Sequence, residues 1–286
     1  MKLIKLLSVV FFGFLFVSAF KIYKLTRYFS QKGRVNVLVY DSTPIFLSLN
    51  VREGVNYYAN LPLDIKVKVP GGHGYFRIGS LGKLAFLEKT PGLLGRTFSL
   101  FFSTPVDFYF YKDISQIYYS NKGKVNNLRA FEIHKLFSYS SNADLLTRIY
   151  LFLKLFDFKN SNFELLKVRK EEVEEDRVDL EKFHRRLQGF FYSTSLRQED
   201  KKVKIYFSVY PFAAKNIGRI LEGTGVNVIG FQRREKLDKC EVEAAQNSFT
   251  LEFLTRAFKC NIKINSKLSG NLIKFYLDKS LEEQWK

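Results

Sequence analysis

Two periodicities alternate along this chain. DIKVKVP puts Ile65, Val67 and Val69 on one face of an extended strand, whereas Leu145, Ile149, Leu153 and Phe156 recur at helical spacing in ADLLTRIYLFLKLF. VNVLVYD (35–41), IFLSLN (45–50), VNYYANLP (55–62) and VDFYFY (106–111) read as further strands. Residues 78–87, the end of TPGLLGRTFSLFFS (90–103) and NNLRAFEIHKLF (126–137) read as helices. Strands and helices interleaved in this way predict a layered α/β domain over residues 35–167.

KVRKEEVEEDRVDLEKFHRRLQ (167–188) is dense in charge. Such runs are usually solvated, so residues 168–200 are expected to link two domains. The rest, 201–286, predicts a small α/β domain with two helices on one sheet. Its first helix, AAKNIGRILEGTG, is closed by glycines. Its second, SFTLEFLTRAFK, has Ser248 as cap and Glu252 near the positive end of the helix dipole. Cys240 and Cys260, the two cysteines, begin the strands on either side of that second helix. In an exported chain they are expected to form a disulfide; the alternative is two buried free thiols.

The N-terminus argues for export. Leu6 to Phe20 is uncharged and apolar between Lys5 and Lys21. Counted from Leu3 to Tyr23, with both lysines snorkelling, it reaches the ~20 residues that span a bilayer. Residues 1–24 therefore predict an N-terminal transmembrane signal-anchor. The rival is a cleavable signal peptide, since Val17-Ser18-Ala19 is a small-residue cleavage pattern. Both place the body outside the cytoplasm, the anchor as a single-pass protein of the cell membrane. KIYKLTRYFSQKGR then reads as a basic juxtamembrane spacer lying against anionic lipid. The net charge of +18 calls for an anionic partner or surface; export argues against nucleic acid, which charge alone would suggest and which would need a cytosolic body.

The chemistry-bearing motifs are few. His73, His134 and His184 are far apart and predict no metal centre. GGHG lacks the Lys-Ser/Thr ending of a phosphate-binding P-loop, and no GxSxG elbow is present. The clusters FFGFLF, FSLFF, DFYFYKD and GFFY read as core, with an apolar groove for a lipid chain as the alternative.

In order along the chain, several short stretches resemble the LytR–CpsA–Psr family. Ser42-Thr43 and the strand after it are similar to the family's arginine-serine-aspartate-threonine stretch. LPLD (61–64) is similar to its isoleucine-proline-arginine-aspartate, and Arg77-Ile78-Gly79 to its lysine-isoleucine-asparagine. Thr104 to Tyr111 is similar to its proline-isoleucine-aspartate-histidine-tyrosine strand. From Leu180 to Trp285 the chain resembles the LytR C-terminal domain.

The resemblance implies an envelope protein anchored outside the membrane. Family members move glycopolymers from a polyprenyl-pyrophosphate carrier to the cell wall. Their arginines hold the pyrophosphate and an aspartate supports magnesium, tasks suited to charge-assisted contacts. Here the arginine of the LPLD-like stretch is Leu63, and the aspartate is Ser42. Asp41 lies one residue earlier, which in a strand points to the opposite face. Arg148 lies near the family's later arginines. The expectation is a pseudoenzyme: a non-catalytic binding or scaffolding protein of the cell envelope, without cofactor. Its expected partners are the membrane and a polyprenyl-phosphate lipid or anionic cell-wall glycopolymer. The alternative is an active glycopolymer phosphotransferase, with Mg2+ on Asp41 and Asp64 and pyrophosphate on Arg77 and Arg96.

Overall fold

The chain opens in a helix, α1 (Lys2–Lys32), that is longer than the expected anchor. The computed structural model describes residues 2–51, 54–119, 134–156, 163–235 and 237–286, with the backbone alone for 2–11 and 14. Among the described residues no helix is long and apolar enough to cross a membrane. The expected span over 1–24 falls in large part on residues 1–11 and 14, whose side chains lie outside that set.

The stretch expected as a spacer is the last part of α1. Leu25, Tyr28 and Phe29 lie one helical turn apart and pack into the core, with Tyr28 7% and Phe29 2% exposed. The helix stops at Gly33, whose positive φ of 81° suits a residue without Cβ and whose N–H bonds the Phe29 carbonyl at 2.7 Å. A basic composition hid an amphipathic turn.

Five strands follow: β1 (Arg34–Tyr40), β2 (Ile45–Asn50), β3 (Asn56–Asn60), β4 (Lys66–Val69) and β5 (Gly74–Arg77). Then come α2 (Leu81–Leu87), α3 (Gly92–Phe102), β6 (Phe108–Tyr111), α4 (Lys135–Ser138), β7 (Ser140–Ser141), α5 (Leu145–Phe156) and β8 (Phe163–Leu165). Most of the helix expected over 126–137 lies outside the described residues. The main sheet has the order β7-β6-β1-β2-β3-β8, with β6 parallel to β1 and β2 antiparallel to it. β1 is buried along its whole length because both faces are covered. Val35, Val37 and Val39 face one apolar layer with Ile45, Leu47 and Leu49 of β2, while Leu38, Tyr40 and Phe46 face the other.

The charged segment 168–200 is not a linker. It forms β9 (Val173–Glu174), β10 (Arg177–Val178), α6 (Leu180–Leu187) and α7 (Thr194–Glu199). β10 joins β4 in a second sheet of order β5-β4-β10-β9. In α6, Leu180, Phe183 and Leu187 share one buried face, and Asp179 caps the helix by accepting from the N–H groups of Glu181 and Lys182. The charges belong to the other face of the same helix.

The last part of the chain contributes β11 (Lys202–Phe207), α8 (Pro211–Gly223), β12 (Asn227–Arg233), β13 (Glu241–Ala244), α9 (Phe249–Phe258), β14 (Asn261–Ile264), β15 (Leu272–Tyr276) and α10 (Lys279–Trp285). Its sheet runs β12-β11-β15-β13-β14. α10 is a third helix beyond the two expected, capped by Asp278 and burying Leu281 and Trp285. Cys240 and Cys260 are joined as a disulfide with their Cα atoms 4.9 Å apart, beside the register that pairs Glu241 with Asn261.

The two halves of the chain share one seam. Tyr28 of α1 lies 5.8 Å from Phe249 of α9, and the Arg256 guanidinium sits 4.4 Å from the Tyr28 ring centre. At the end of α8, a Cβ on Gly223 would run into the Ser103 carbonyl oxygen. Deeper in the first half, the Lys32 ammonium donates to both oxygens of Asp107 at 2.6 Å, with Lys32 3% exposed. Asp107 also accepts the Asn36 N–H at 2.8 Å.

Four outcomes are expected. Lys32→Met strands a buried carboxylate and lowers the stability measured by urea denaturation by about 3–5 kcal/mol. Adding Asp107→Asn, which removes that charge and keeps an acceptor for Asn36, recovers part of the loss. Gly223→Ala forces the seam apart and costs about 1–3 kcal/mol in the same measurement. Alkylation of the denatured, unreduced chain labels neither Cys240 nor Cys260; two labelled thiols would contradict the bond.

Candidate functional site

In open α/β sheets, functional side chains gather at the carboxyl ends of parallel strands. Here that place is the end of β1 beside β6, and Asp41 occupies it. Asp41 is buried, 6% exposed. Its Oδ1 accepts the Thr43 N–H at 2.8 Å, closing a local turn. Its Oδ2 accepts from Lys135 Nζ at 2.8 Å and from the Tyr139 hydroxyl at 3.0 Å. The Lys135 ammonium also lies 5.8 Å from the Tyr139 ring centre. Both carboxylate oxygens are therefore engaged and the charge is matched within the protein.

The surroundings hold this arrangement. The Tyr40 hydroxyl donates to the Ile78 carbonyl and accepts the Gly82 N–H, both at 2.9 Å, tying β1 to the start of α2. Tyr118 lies 5.9 Å from Tyr40 ring to ring. Burial pushes the Tyr118 hydroxyl pKa up, and the nearby Asp41 carboxylate adds to the shift. Arg148 Nη1 donates to the carbonyls of Leu136 at 2.6 Å and Tyr139 at 2.8 Å. Arg148 thus orients the segment that carries Lys135 and Tyr139 and is not a ligand-facing charge.

Leu63 is part of the core, 3% exposed, and its carbonyl accepts the Gly79 N–H at 2.9 Å. Asp64 and Arg77 are exposed, on the outer side of the β4–β5 hairpin. Arg96 is elsewhere: it projects from α3 toward α10, near the start of β6, while Asp41 lies at the opposite end of the β1–β6 pair. Arg96 is thus set apart from Asp41, whereas Asp64 and Arg77 flank Leu63 and Ile78, whose carbonyls accept from the Gly79 N–H and from the hydroxyl of Tyr40, next to Asp41.

The donor set does not fit magnesium. That ion needs several oxygen ligands in near-octahedral geometry. Asp41 already carries an ammonium, a hydroxyl and a backbone N–H, and Asp64 faces outward. Among the described residues, no three His, Cys, Asp or Glu side chains come together as a metal site. His184 is half-buried with a ring nitrogen 2.9 Å from the Phe101 carbonyl, and desolvation pushes its pKa down. His73 stands 4.0 Å from Glu88.

The aromatic clusters pack against one another. Phe46 stacks on Phe102 at 3.9 Å, and Phe101 meets Phe102 edge-on at 4.9 Å and Phe183 at 4.7 Å. These side chains fill the layer between β2, α3 and α6.

Lys135 and Tyr139 are the functional-site residues that sequence reasoning missed. Lys135 meets Asp41 across 94 positions of chain, so no local spacing could signal the contact.

No known family profile matches this chain, and no curated protein matches it. Among solved structures, it is similar to the LytR-CPS2A-psr family protein YwtF (TagT) with bound octaprenyl pyrophosphate lipid. The identity is 14% over 55% of this chain and 89% of that one, with a TM-score of 0.38. Bacillus subtilis TagV is 9% identical over 54% of this chain and 94% of its own, with a TM-score of 0.34. TagT bound to LIIa-WTA is 10% identical over 89% of this chain and 88% of its own, with a TM-score of 0.24. The first of these structures carries in its name the family that the sequence resembles.

Proposed function

We propose that this chain is a LytR–CpsA–Psr-like protein of the cell envelope that binds without catalysing transfer. Its partner would be a polyprenyl-phosphate lipid or an anionic cell-wall glycopolymer. The observation that carries this reading is the contact between Lys135 and Asp41. A carboxylate whose charge is already met by an ammonium, with a hydroxyl and an N–H on its two oxygens, is poorly placed to bind a cation as well. Leu63 agrees with it, because a buried leucine cannot hold a phosphate. The net charge of +18 supports an anionic partner. Phe12, Phe16, Val17, Phe20 and Tyr23 of α1 are exposed and support holding the body at a membrane.

The alternative is the glycopolymer phosphotransferase. It requires Asp41, Asp64, Arg77 and Arg96 to act together, and the place of Arg96 at the opposite end of the β1–β6 pair from Asp41 argues against it.

The test is full-length protein in detergent mixed with a short-chain polyprenyl pyrophosphate and magnesium. Binding without release of phosphate is expected. Magnesium-dependent release that disappears in Arg77→Ala would establish the phosphotransferase instead. Neither binding nor release would leave a structural envelope module.

A further inference from the structure

A second site lies at the other end of β6, where the two halves of the chain meet. α3 and β6 face α9 and α10 across a cavity of 210 Å3. That is below the ~300–1,000 Å3 of pockets for drug-sized ligands, so its occupant must be small. The floor is apolar, with Phe258 and Trp285 buried in it, and the rim carries the exposed Lys259 and Gln284. Arg96 reaches in from α3.

Arg96 is poorly satisfied. Its Nε is buried and has no hydrogen-bond partner among the described residues. Its Nη1 reaches Gln284 Oε1 only at 3.5 Å, the outer limit for a hydrogen bond. Burial pushes the guanidinium pKa down, and Tyr109 offsets this only in part. The described wall of the cavity includes two cations, Arg96 and Lys259, and no carboxylate. The cavity between α6 and α8 differs: there Arg185 and Arg219 are balanced by Glu181 and Glu222. A part-buried guanidinium without an anion is costly, and its planar fork matches a phosphate.

We infer that the cavity between α3 and α10 binds a small phosphate monoester with a compact apolar body. Arg96 and Lys259 meet the dianion, and Phe258 and Trp285 meet the apolar part. The ligand touches both halves of the chain and so clamps them together. The site is separate from Asp41 and does not depend on the envelope role.

Trp285 is the only tryptophan in the chain, so its fluorescence reports directly on the cavity. Full-length protein is titrated with cyclohexyl phosphate, inorganic phosphate and cyclohexanol. A saturable change with cyclohexyl phosphate is expected, about tenfold weaker affinity for inorganic phosphate, and no response to cyclohexanol. Arg96→Met weakens binding at least about tenfold. Gln284→Glu sets a carboxylate beside the guanidinium; it raises the Tm of the unliganded protein and removes the response. Because Gln284 is exposed, this variant decides the matter even if Arg96→Met does not fold. No response up to about 10 mM cyclohexyl phosphate overturns the proposal. So does a Gln284→Glu response within about twofold of the original affinity.

Discussion

A buried ammonium and a largely buried carboxylate decide where three elements meet. Lys32 closes α1, Asp107 precedes β6, and the Asn36 N–H of β1 shares the same carboxylate. Burying both ions costs much of what their attraction returns, so the pair is better understood as a register pin than as net stabilisation. With α1 pinned there, Phe29 and Tyr28 fall against the valine face of β1, and Tyr28 meets Phe249 of the second half. The main sheet, the first helix and the C-terminal domain therefore share a single corner.

The β1–β6 pair carries a lysine–carboxylate contact at each end. Lys32 answers Asp107 where β6 starts, and Lys135 answers Asp41 where β1 stops. In both, a long flexible side chain delivers the counter-charge that a bound cation would otherwise supply. The strand pair is electrostatically closed at both ends, while Arg96, between the halves, keeps a buried Nε without a hydrogen-bond partner among the described residues.

Period-two and helical patterns located most strands and helices, because burial on one or both faces of a sheet writes itself into local sequence. The misreadings have a common physical cause. KIYKLTRYFSQK and DLEKFHRRLQ looked solvated because charge was read as an average, while burial depends on which side of a helix each residue occupies. Leu25, Tyr28 and Phe29 in the first, and Leu180, Phe183 and Leu187 in the second, were visible but outnumbered. The site was less legible. Leu63 stands where the family resemblance leads one to expect an arginine, yet nothing near Asp41 announced Lys135. Contacts made by single long side chains across the fold leave no periodic trace.

α1 runs without a break from its apolar first half into the core, 31 residues in one helix. At 1.5 Å per residue that is roughly 45 Å of rod. A globule on a flexible leash tumbles through many orientations; one built onto the end of a rod keeps a fixed attitude. Whatever grips the first half of α1 therefore sets the azimuth of the whole body, and the same faces of the molecule are always turned toward and away from that grip.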